Sequence, residues 1–337
     1  MNRNIVSICL FCALSFLAPL TVCGGTIPTV PVANPGNAGE VQFHGTFGAV
    51  AYDYRIGKYE VTNSQYAEFL NAKAASDPFS LYNVDMGSDD RGGITRSGSD
   101  GSYTFSVKAN MGNKPVNFVS WYDAIRFANW LHNNQGAGDT ETGAYTLLGS
   151  TPTPSNGLSI TRNPGAHWFL PSEDEWYKAA YYDPTLSGGS GAYWHYPTQS
   201  NTIPAIATAN SIGDISNPGV NVANYDRGAD WNSLDGNVTT VGSAGSLSES
   251  YYGTSDQGGN VWEWNEDVVF GTFRGARGGS WGGVSGTLAA SDHNGTDPTV
   301  EVHNVGLRVA TVPEPSALAL TLLGLFGLVA YRWLARR

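Results

Sequence analysis

A stretch rich in glycine and tryptophan, residues 258–283, constrains the fold more strongly than any other part of the chain. It reads GGNVWEWNEDVVFGTFRGARGGSWGG. Indole rings bury large areas, whereas glycine lets backbone segments approach closely or adopt positive φ. The combination predicts a compact, loop-rich centre rather than a regular helix. The same stretch contains Glu263, Glu266 and Asp267, so it has the composition of a functional site, and its chemistry depends on the residues that follow Trp281.

The first 24 residues have the layout of a secretory signal peptide. Arg3 precedes an apolar run over Ile5–Val22, and small residues follow. Serine and proline interrupt the run, which argues against the first alternative, a membrane anchor. A lipoprotein signal ending at Cys23 is the second alternative. Residues 25–42 are rich in proline, glycine and asparagine, and we predict a linker there.

Residues 312–337 have three parts in a defined order: a Pro-Glu-Pro motif at 313–315, an apolar run over 317–330 and a basic end. The run is shorter than the roughly 20 residues of a full membrane span. The order resembles the PEP-CTERM sorting signal of Gram-negative bacteria. This resemblance implies an exosortase-type sorting enzyme as partner, transient residence in the inner membrane, and a final place at the cell surface or in the extracellular matrix. A plain tail anchor that stays uncut is the alternative.

All three cysteines, Cys9, Cys12 and Cys23, lie in or beside the predicted signal peptide. The mature chain would therefore contain no cysteine, which excludes disulfides, thiolate metal sites and a cysteine nucleophile. The remaining chain of about 285 residues can bury a full core without them.

The formal net charge of the whole chain is −11. It falls to about −14 without the two ends, because the ends contain four arginines and one glutamate. Such an acidic surface disfavours nucleic acid and anionic lipid. We expect an exported domain that is monomeric and does not bind nucleic acid.

Three short helices are predicted from N-cap residues followed by apolar residues at helical spacing. The caps are Thr62, Ser120 and Ser172. Alternating or apolar segments predict strands at 41–59, 238–242 and 305–310. No internal repeat occurs, and no change of composition suggests a second globular domain.

Six motifs follow one another along the chain. They are YRIGKYEVTNSQYA (54–67), PVNFVSWYDAIRFANW (115–130), FLPSEDEWYKAA (169–180), GNVWEW (259–264), RGGSW (277–281) and GLRV (306–309). Together they resemble the formylglycine-generating enzyme or sulfatase-modifying factor family, and the resemblance runs over residues 43–311. It implies a compact α+β domain, similar to C-type lectins, with little regular secondary structure, three short helices and small antiparallel sheets.

The resemblance also implies two structural calcium sites. The first would use the side chains of Asn224 and Asp235 and the carbonyls of Tyr225 and Asn237. The second would use Asn260 and Glu263 with neighbouring carbonyls. Asparagine, carboxylate and carbonyl oxygens are the hard ligands that Ca²⁺ requires. The alternative is that these residues only form loop turns.

The catalytic part of the resemblance fails. In that family two cysteines after the Gly-Gly-Ser-aromatic motif bind copper and activate oxygen. Counted from Trp281, the equivalent positions fall near Gly283 and Leu288, and no cysteine is available to replace them. Copper is not expected, because thiolates are the ligands that select Cu(I). Trp281, His293 and His303 remain candidates for lining the cleft, with exposed loop residues as the alternative for the histidines.

These observations predict an exported, envelope-associated domain that is a binding or structural module of the cell surface or matrix, with a cleft for a glycan or a peptide, and that is not an oxidase. One alternative is an oxidase, either of the formylglycine-generating type or with a metal near His293. Another is a matrix scaffold in which the sorting tail is the functional part.

Overall fold

A computed structural model describes residues 26–136 and 138–312. The predicted signal peptide, residues 1–24, and all but the first residue of the predicted sorting signal lie outside this range. Within it, no helix is long and apolar enough to cross a membrane.

Five helices occur among the described residues. They are α1 (Asn63–Lys73), α2 (Asp85–Ser88), α3 (Trp121–His132), α4 (Glu173–Tyr181) and α5 (Leu186–Gly189). The three long ones, α1, α3 and α4, are those predicted. Thr62, Ser120 and Ser172 each accept a hydrogen bond from the backbone amide three residues ahead, and the side chain at that position bonds back to the cap. These capping boxes satisfy amides that a helix start leaves free.

The strands are short. They are β1 (Thr29–Val32), β2 (Glu40–Gln42), β3 (Gly45–Phe47), β4 (Tyr54–Gly57), β5 (Ile94–Ser97), β6 (Thr104–Val107), β7 (Trp168–Phe169), β8 (Tyr182–Asp183), β9 (Ala192–Tyr193), β10 (Ala205–Ile206), β11 (Val222–Ala223), β12 (Trp262–Val269), β13 (Phe273–Arg277), β14 (Asn294–Thr296), β15 (Val305–Leu307) and β16 (Ala310–Thr311).

Two sheets have four strands each, in the orders β1-β4-β16-β7 and β14-β13-β12-β15. The other described sheets are two-stranded. Most pairings are antiparallel, as expected, but β12 pairs with β15 and β10 pairs with β11 in parallel. The predicted α+β class with few helices and small sheets is confirmed.

Two segments differ from the sequence prediction. Part of the predicted linker, residues 25–42, is integral to a sheet: β1 pairs with β4 over its whole length, and Val32 is completely buried. Pro31 is tolerated because β1 is an edge strand, where a missing amide costs no ladder bond. No strand forms at 238–242, because the Thr239 amide donates to the side chain of Asn260 at 2.9 Å instead of to a neighbouring strand.

The main core joins α3 to β12 through two buried indoles. Trp121 donates its Nε1–H to the Asn265 carbonyl at 2.8 Å, and Trp264 donates to the Val119 carbonyl at 3.0 Å. Both rings are completely buried. Buried indoles usually find such partners, and here the two bonds fix the position of β12, from which the carboxylates of residues 258–283 project.

Candidate functional site

The stretch 258–283 folds into β12, β13 and glycine turns on either side of them. One of these turns requires glycine: Gly259 has φ +93°, and an added Cβ would lie 2.2 Å from the Asn224 carbonyl oxygen. The three carboxylates of the stretch separate in space. Glu263 enters the core, Glu266 pairs with Arg162 at 2.6 Å, and Asp267 lines a surface pocket.

Glu263 is engaged by two partners. The Arg308 guanidinium donates to both carboxylate oxygens, at 2.7 and 2.8 Å, and the Trp176 indole donates to one of them at 2.7 Å. Asn260, the other predicted ligand of the second calcium site, accepts from the Thr239 amide at 2.9 Å. This pair fits an ion-pair and hydrogen-bond network rather than a calcium site, because Arg308 already neutralises the carboxylate.

The first predicted calcium set comes together only in part. The Asn224 amide donates to the Asn237 carbonyl at 2.9 Å, and its Oδ1 is buried with no hydrogen-bond partner among the described residues. Tyr225 follows directly in the chain, and its hydroxyl donates to the Pro204 carbonyl at 2.7 Å. The Asp235 side chain is 74% exposed and pairs with an arginine. Asn224 Oδ1 thus suits a hard cation, whereas the Asp235 carboxylate points elsewhere.

No group of three or more histidine, cysteine or acidic side chains in the described ranges is arranged to hold a metal.

Gly283 and Leu288, near which the resemblance places the catalytic cysteines, lie in packed surroundings. Leu288 is completely buried against Tyr196 and Tyr225, and its carbonyl accepts from Tyr181 at 3.1 Å. An added Cβ at Gly283 would lie 2.7 Å from Thr287 Oγ1. The backbone here therefore surrounds an apolar side chain rather than a pair of metal ligands.

The predicted cleft residues fall into two separate places. Trp281 is nearly buried, with the Arg91 guanidinium 4.3 Å from its ring centroid and the His303 ring at 5.3 Å. Burial lowers the pKa of His303. His293 instead lies in a pocket to which neither Trp281 nor His303 contributes. The three residues therefore do not line one continuous cleft.

The pocket around His293 encloses about 470 Å³. We call it the His293 pocket. Its lining comes from the β2–β3 hairpin, the N-terminal turn of α4, the end of β12 and the segment before β14: His44, Thr46, Phe47, Glu173, Asp174, Asp267, Val268, Val269, Phe270 and His293.

Aromatic rings form one side of the His293 pocket. The His293 ring centroid lies 5.1 Å from Phe47, 5.3 Å from Phe270 and 5.4 Å from His44. Burial, together with the positive charge of Arg277, lowers the pKa of His293 to about 4. The imidazole is therefore neutral at neutral pH. Its Nδ1 is buried and has no hydrogen-bond partner in the part of the chain that the structure describes.

Carboxylates form the other side. Glu173 is buried and pairs with Arg277, and burial raises its pKa. Asp267 accepts the Glu173 amide at 2.5 Å, and Asp174 accepts the Gly48 amide at 2.7 Å. Burial also raises the pKa values of both aspartates, and repulsion from neighbouring carboxylates raises them further.

Comparison with known proteins decides the family. Residues 39–312 match the model of the Sulfatase-modifying factor enzyme 1-like domain. The chain belongs to the sulfatase-modifying factor family. The Chaperone protein LppX of Paenibacillus barcinonensis is 26% identical over 278 residues, which cover 76% of this chain and 79% of that protein.

Hercynine oxygenase of Mycolicibacterium smegmatis is 25% identical over 285 residues, which cover 76% of this chain. The chain spans about half of that relative, 52% of its length.

Two solved structures have a similar fold. Treponema denticola variable protein 1 superposes with a TM-score of 0.52 at 19% identity, covering 85% of this chain and 95% of its own. CarF superposes with a TM-score of 0.50 at 21% identity, covering 86% and 99%. At these identities the likeness shows the fold alone, which agrees with the C-type-lectin-like architecture expected of this sulfatase-modifying factor domain.

Sequence reasoning missed most of the His293 pocket. His44 and Phe47 belong to a segment whose alternating pattern predicts only strands, and the sequence pattern assigns no role to Phe270. One signal was available: α4 begins with three acids, and Asp267 lies in the same stretch as two further carboxylates. That these acids approach Asp267 depends on how α4 packs on β12, which no local pattern shows.

Proposed function

We propose that this sulfatase-modifying factor domain is an exported, envelope-associated binding module rather than an oxidase. One observation carries the proposal: the position equivalent to the second catalytic cysteine is Leu288, completely buried in an aromatic cluster. A leucine in that place supplies no ligand for copper. The neighbouring Gly283 supplies none either, and the sequence has no cysteine after Cys23.

The His293 pocket is a suitable place for a ligand. It is concave, has aromatic walls and holds a few polar groups, which is the usual composition of a small-ligand site. A sugar unit or a peptide side chain has a suitable size for about 470 Å³. Phe270 is 57% exposed, so part of the aromatic wall is accessible to such a ligand.

The sequence of the two ends supports export. A signal peptide at 1–24 and a sorting signal at 312–337 would bring the domain to an exosortase-type enzyme and then to the cell surface or matrix. The acidic composition supports a monomer without affinity for nucleic acid. A structural calcium ion near Asn224 belongs to the same proposal, supported by the buried Oδ1, which accepts no hydrogen bond from residues 26–136 and 138–312.

A direct assay separates binding from oxidation. The purified mature domain is incubated with a Cys-x-Pro-x-Arg peptide, copper and oxygen, and mass spectrometry follows the peptide. We expect no aldehyde. Formation of formylglycine that depends on copper would overturn the proposal and support the oxidase alternative.

Glycan and peptide arrays test the binding half. We expect a ligand whose binding is lost in His293→Ala and retained in His195→Ala, a histidine exposed elsewhere on the surface. Absence of any ligand, together with retention in the matrix through the tail alone, would instead favour the scaffold alternative.

A further inference from the structure

The His293 pocket combines aromatic walls with two carboxylates, Asp174 and Asp267, that form no ion pair within the described part of the chain. We propose that it binds an organic ammonium group, as found on a free amine, a lysine side chain or an amino sugar. This inference rests on the proposed function as a binding module and names the chemical class of its ligand.

The walls suit a cation. Aromatic rings attract cations to their faces when these approach within about 6 Å of the ring centroid. The rings of Phe47 and Phe270 lie 5.1 and 5.3 Å from His293, and the His44 ring lies 6.0 Å from Phe270. These rings therefore form one cluster at the pocket wall. The Arg277 guanidinium already lies 5.0 Å from the Phe47 ring centroid, whereas Phe270 is 57% exposed and is the ring most open to a cation entering the pocket. The His293 imidazole does not repel it, because it is neutral at neutral pH.

The floor supplies negative charge. Asp267 and Asp174 each use one carboxylate oxygen to accept a backbone amide, from Glu173 and Gly48. The other oxygen of each accepts no hydrogen bond from the described part of the chain, and neither aspartate pairs with an arginine or lysine there. Two carboxylate oxygens thus remain available to the positive charge of an ammonium group.

The neighbouring cation does not cancel this charge. Arg277 is paired with Glu173 and also donates to the carbonyls of Ala290 and Asp292. Its charge is therefore balanced by Glu173. Asp174 and Asp267 form no ion pair with a described arginine or lysine, and Arg274 and Arg162 act on Asp267 only at longer range. An anionic ligand would meet repulsion here, and a bare metal ion would find ring faces on one side of the pocket instead of oxygen ligands.

The proposal is tested by calorimetric titration of the full mature domain with three probes. Choline and n-butylammonium carry the charge, and 3,3-dimethylbutan-1-ol is the neutral isostere of choline. We expect both cations to bind saturably and the neutral alcohol to bind at least about tenfold more weakly. A tenfold difference in Kd corresponds to roughly 1.4 kcal/mol of binding free energy. Equal binding of choline and the alcohol would overturn the ammonium assignment.

Three variants locate the site. Asp267→Asn and Asp174→Asn remove one charge each and can still accept the backbone amide, and Phe270→Ala removes an exposed ring. We expect each to weaken choline binding at least about fivefold. Asp235→Asn removes the same charge from an exposed side chain outside the pocket, and should leave binding unchanged. An equal loss in Asp235→Asn would mean that only the overall charge of the protein matters, which contradicts the proposal.

Further titrations distinguish the chemical sources of the ammonium group. Together with the arrays and the copper assay, they also separate the ammonium assignment from the broader binding function. A lysine peptide, its Nε-acetylated form, glucosamine and N-acetylglucosamine are compared, and binding should be lost on acetylation. If the arrays show a neutral ligand that depends on His293, the binding function stands and the ammonium assignment fails. If the copper assay yields aldehyde, the binding function itself fails. Melting curves of every variant confirm that each one is folded.

Discussion

Glu263 and Arg308 form a two-point ion pair in which both side chains are completely buried. Glu263 belongs to the GNVWEW motif and Arg308 to the GLRV motif, so two segments far apart in the sequence meet in one contact. Arg308 also donates to the carbonyls of Gly57 and Ser255, each at 2.8 Å. The pair therefore joins β12 to the sheet that contains β4, and this explains why Glu263 is not free to bind calcium.

Removing one partner of this pair should destabilise the domain strongly. We expect Arg308→Met to lower the free energy of unfolding by about 3–5 kcal/mol, because it leaves the Glu263 carboxylate buried without a counter-charge. Urea denaturation followed by tryptophan fluorescence measures the change. The double variant Glu263→Leu/Arg308→Met should recover part of the loss, since it removes both charges.

A surface pair is the matched control. Arg227 and Asp235 are 61% and 74% exposed, and Arg227→Met should change the free energy of unfolding by less than about 1 kcal/mol. Equal effects of Arg227→Met and Arg308→Met would contradict the structural role given to the buried pair.

Leu288 gives a second prediction. We expect Leu288→Ala to cost about 2–5 kcal/mol, because it opens a cavity among Tyr196, Tyr225 and Ala289. The control is Val284→Ala, four residues earlier and 62% exposed, with an expected change within about 0.5 kcal/mol. Similar midpoints in guanidinium for both variants would show that position 288 is not part of the core.

Local features of the fold were predictable from sequence. Thr62, Ser120 and Ser172 cap helices because the cap and its partner lie three residues apart, so the pattern is contained in a few letters. Gly283 and Leu288 are the positions near which the resemblance places catalytic cysteines, and finding them requires only counting from Trp281.

Long-range features were not predictable. Thr29–Val32 looks like a linker by composition, and only its pairing with β4 makes it a strand. Trp281 and His293 are 12 positions apart in the sequence, yet Trp281 packs against Arg91 and His303, whereas His293 packs against His44 and Phe47. The His293 pocket draws on four segments, and their meeting depends on tertiary packing that a periodic pattern does not encode.

His293 should make the stability of the domain depend on pH. Its pKa is about 4 in the folded chain and near 6.5 when unperturbed. Between these values the unfolded chain binds a proton that the folded chain does not, so this residue lowers stability as pH falls from 6.5 toward 4 and has no such effect above 6.5.

Urea denaturation at pH 7.5 and pH 5 measures this contribution. We expect the loss of stability between the two values to be smaller in His293→Gln than in the natural chain. His195→Gln changes an exposed histidine and should leave the loss unchanged. If His293→Gln loses as much stability between pH 7.5 and pH 5 as the natural chain does, the pH dependence does not come from His293.

The last prediction concerns calcium at Asn224. An ion bound only by the native state raises the melting temperature by mass action, so we expect Ca²⁺ to raise it and EDTA to lower it. The response should disappear in Asn224→Ala, which removes the buried oxygen that has no partner. It should persist in Asp235→Asn, because that carboxylate is exposed and faces Arg227. The melting temperature of each variant is measured with and without calcium. The difference reports the effect of the ion and is independent of the stability lost with the hydrogen bonds that Asn224 makes. Equal curves of the natural chain in Ca²⁺ and EDTA would mean that the three asparagines Asn224, Asn237 and Asn260 form only a hydrogen-bonded cluster.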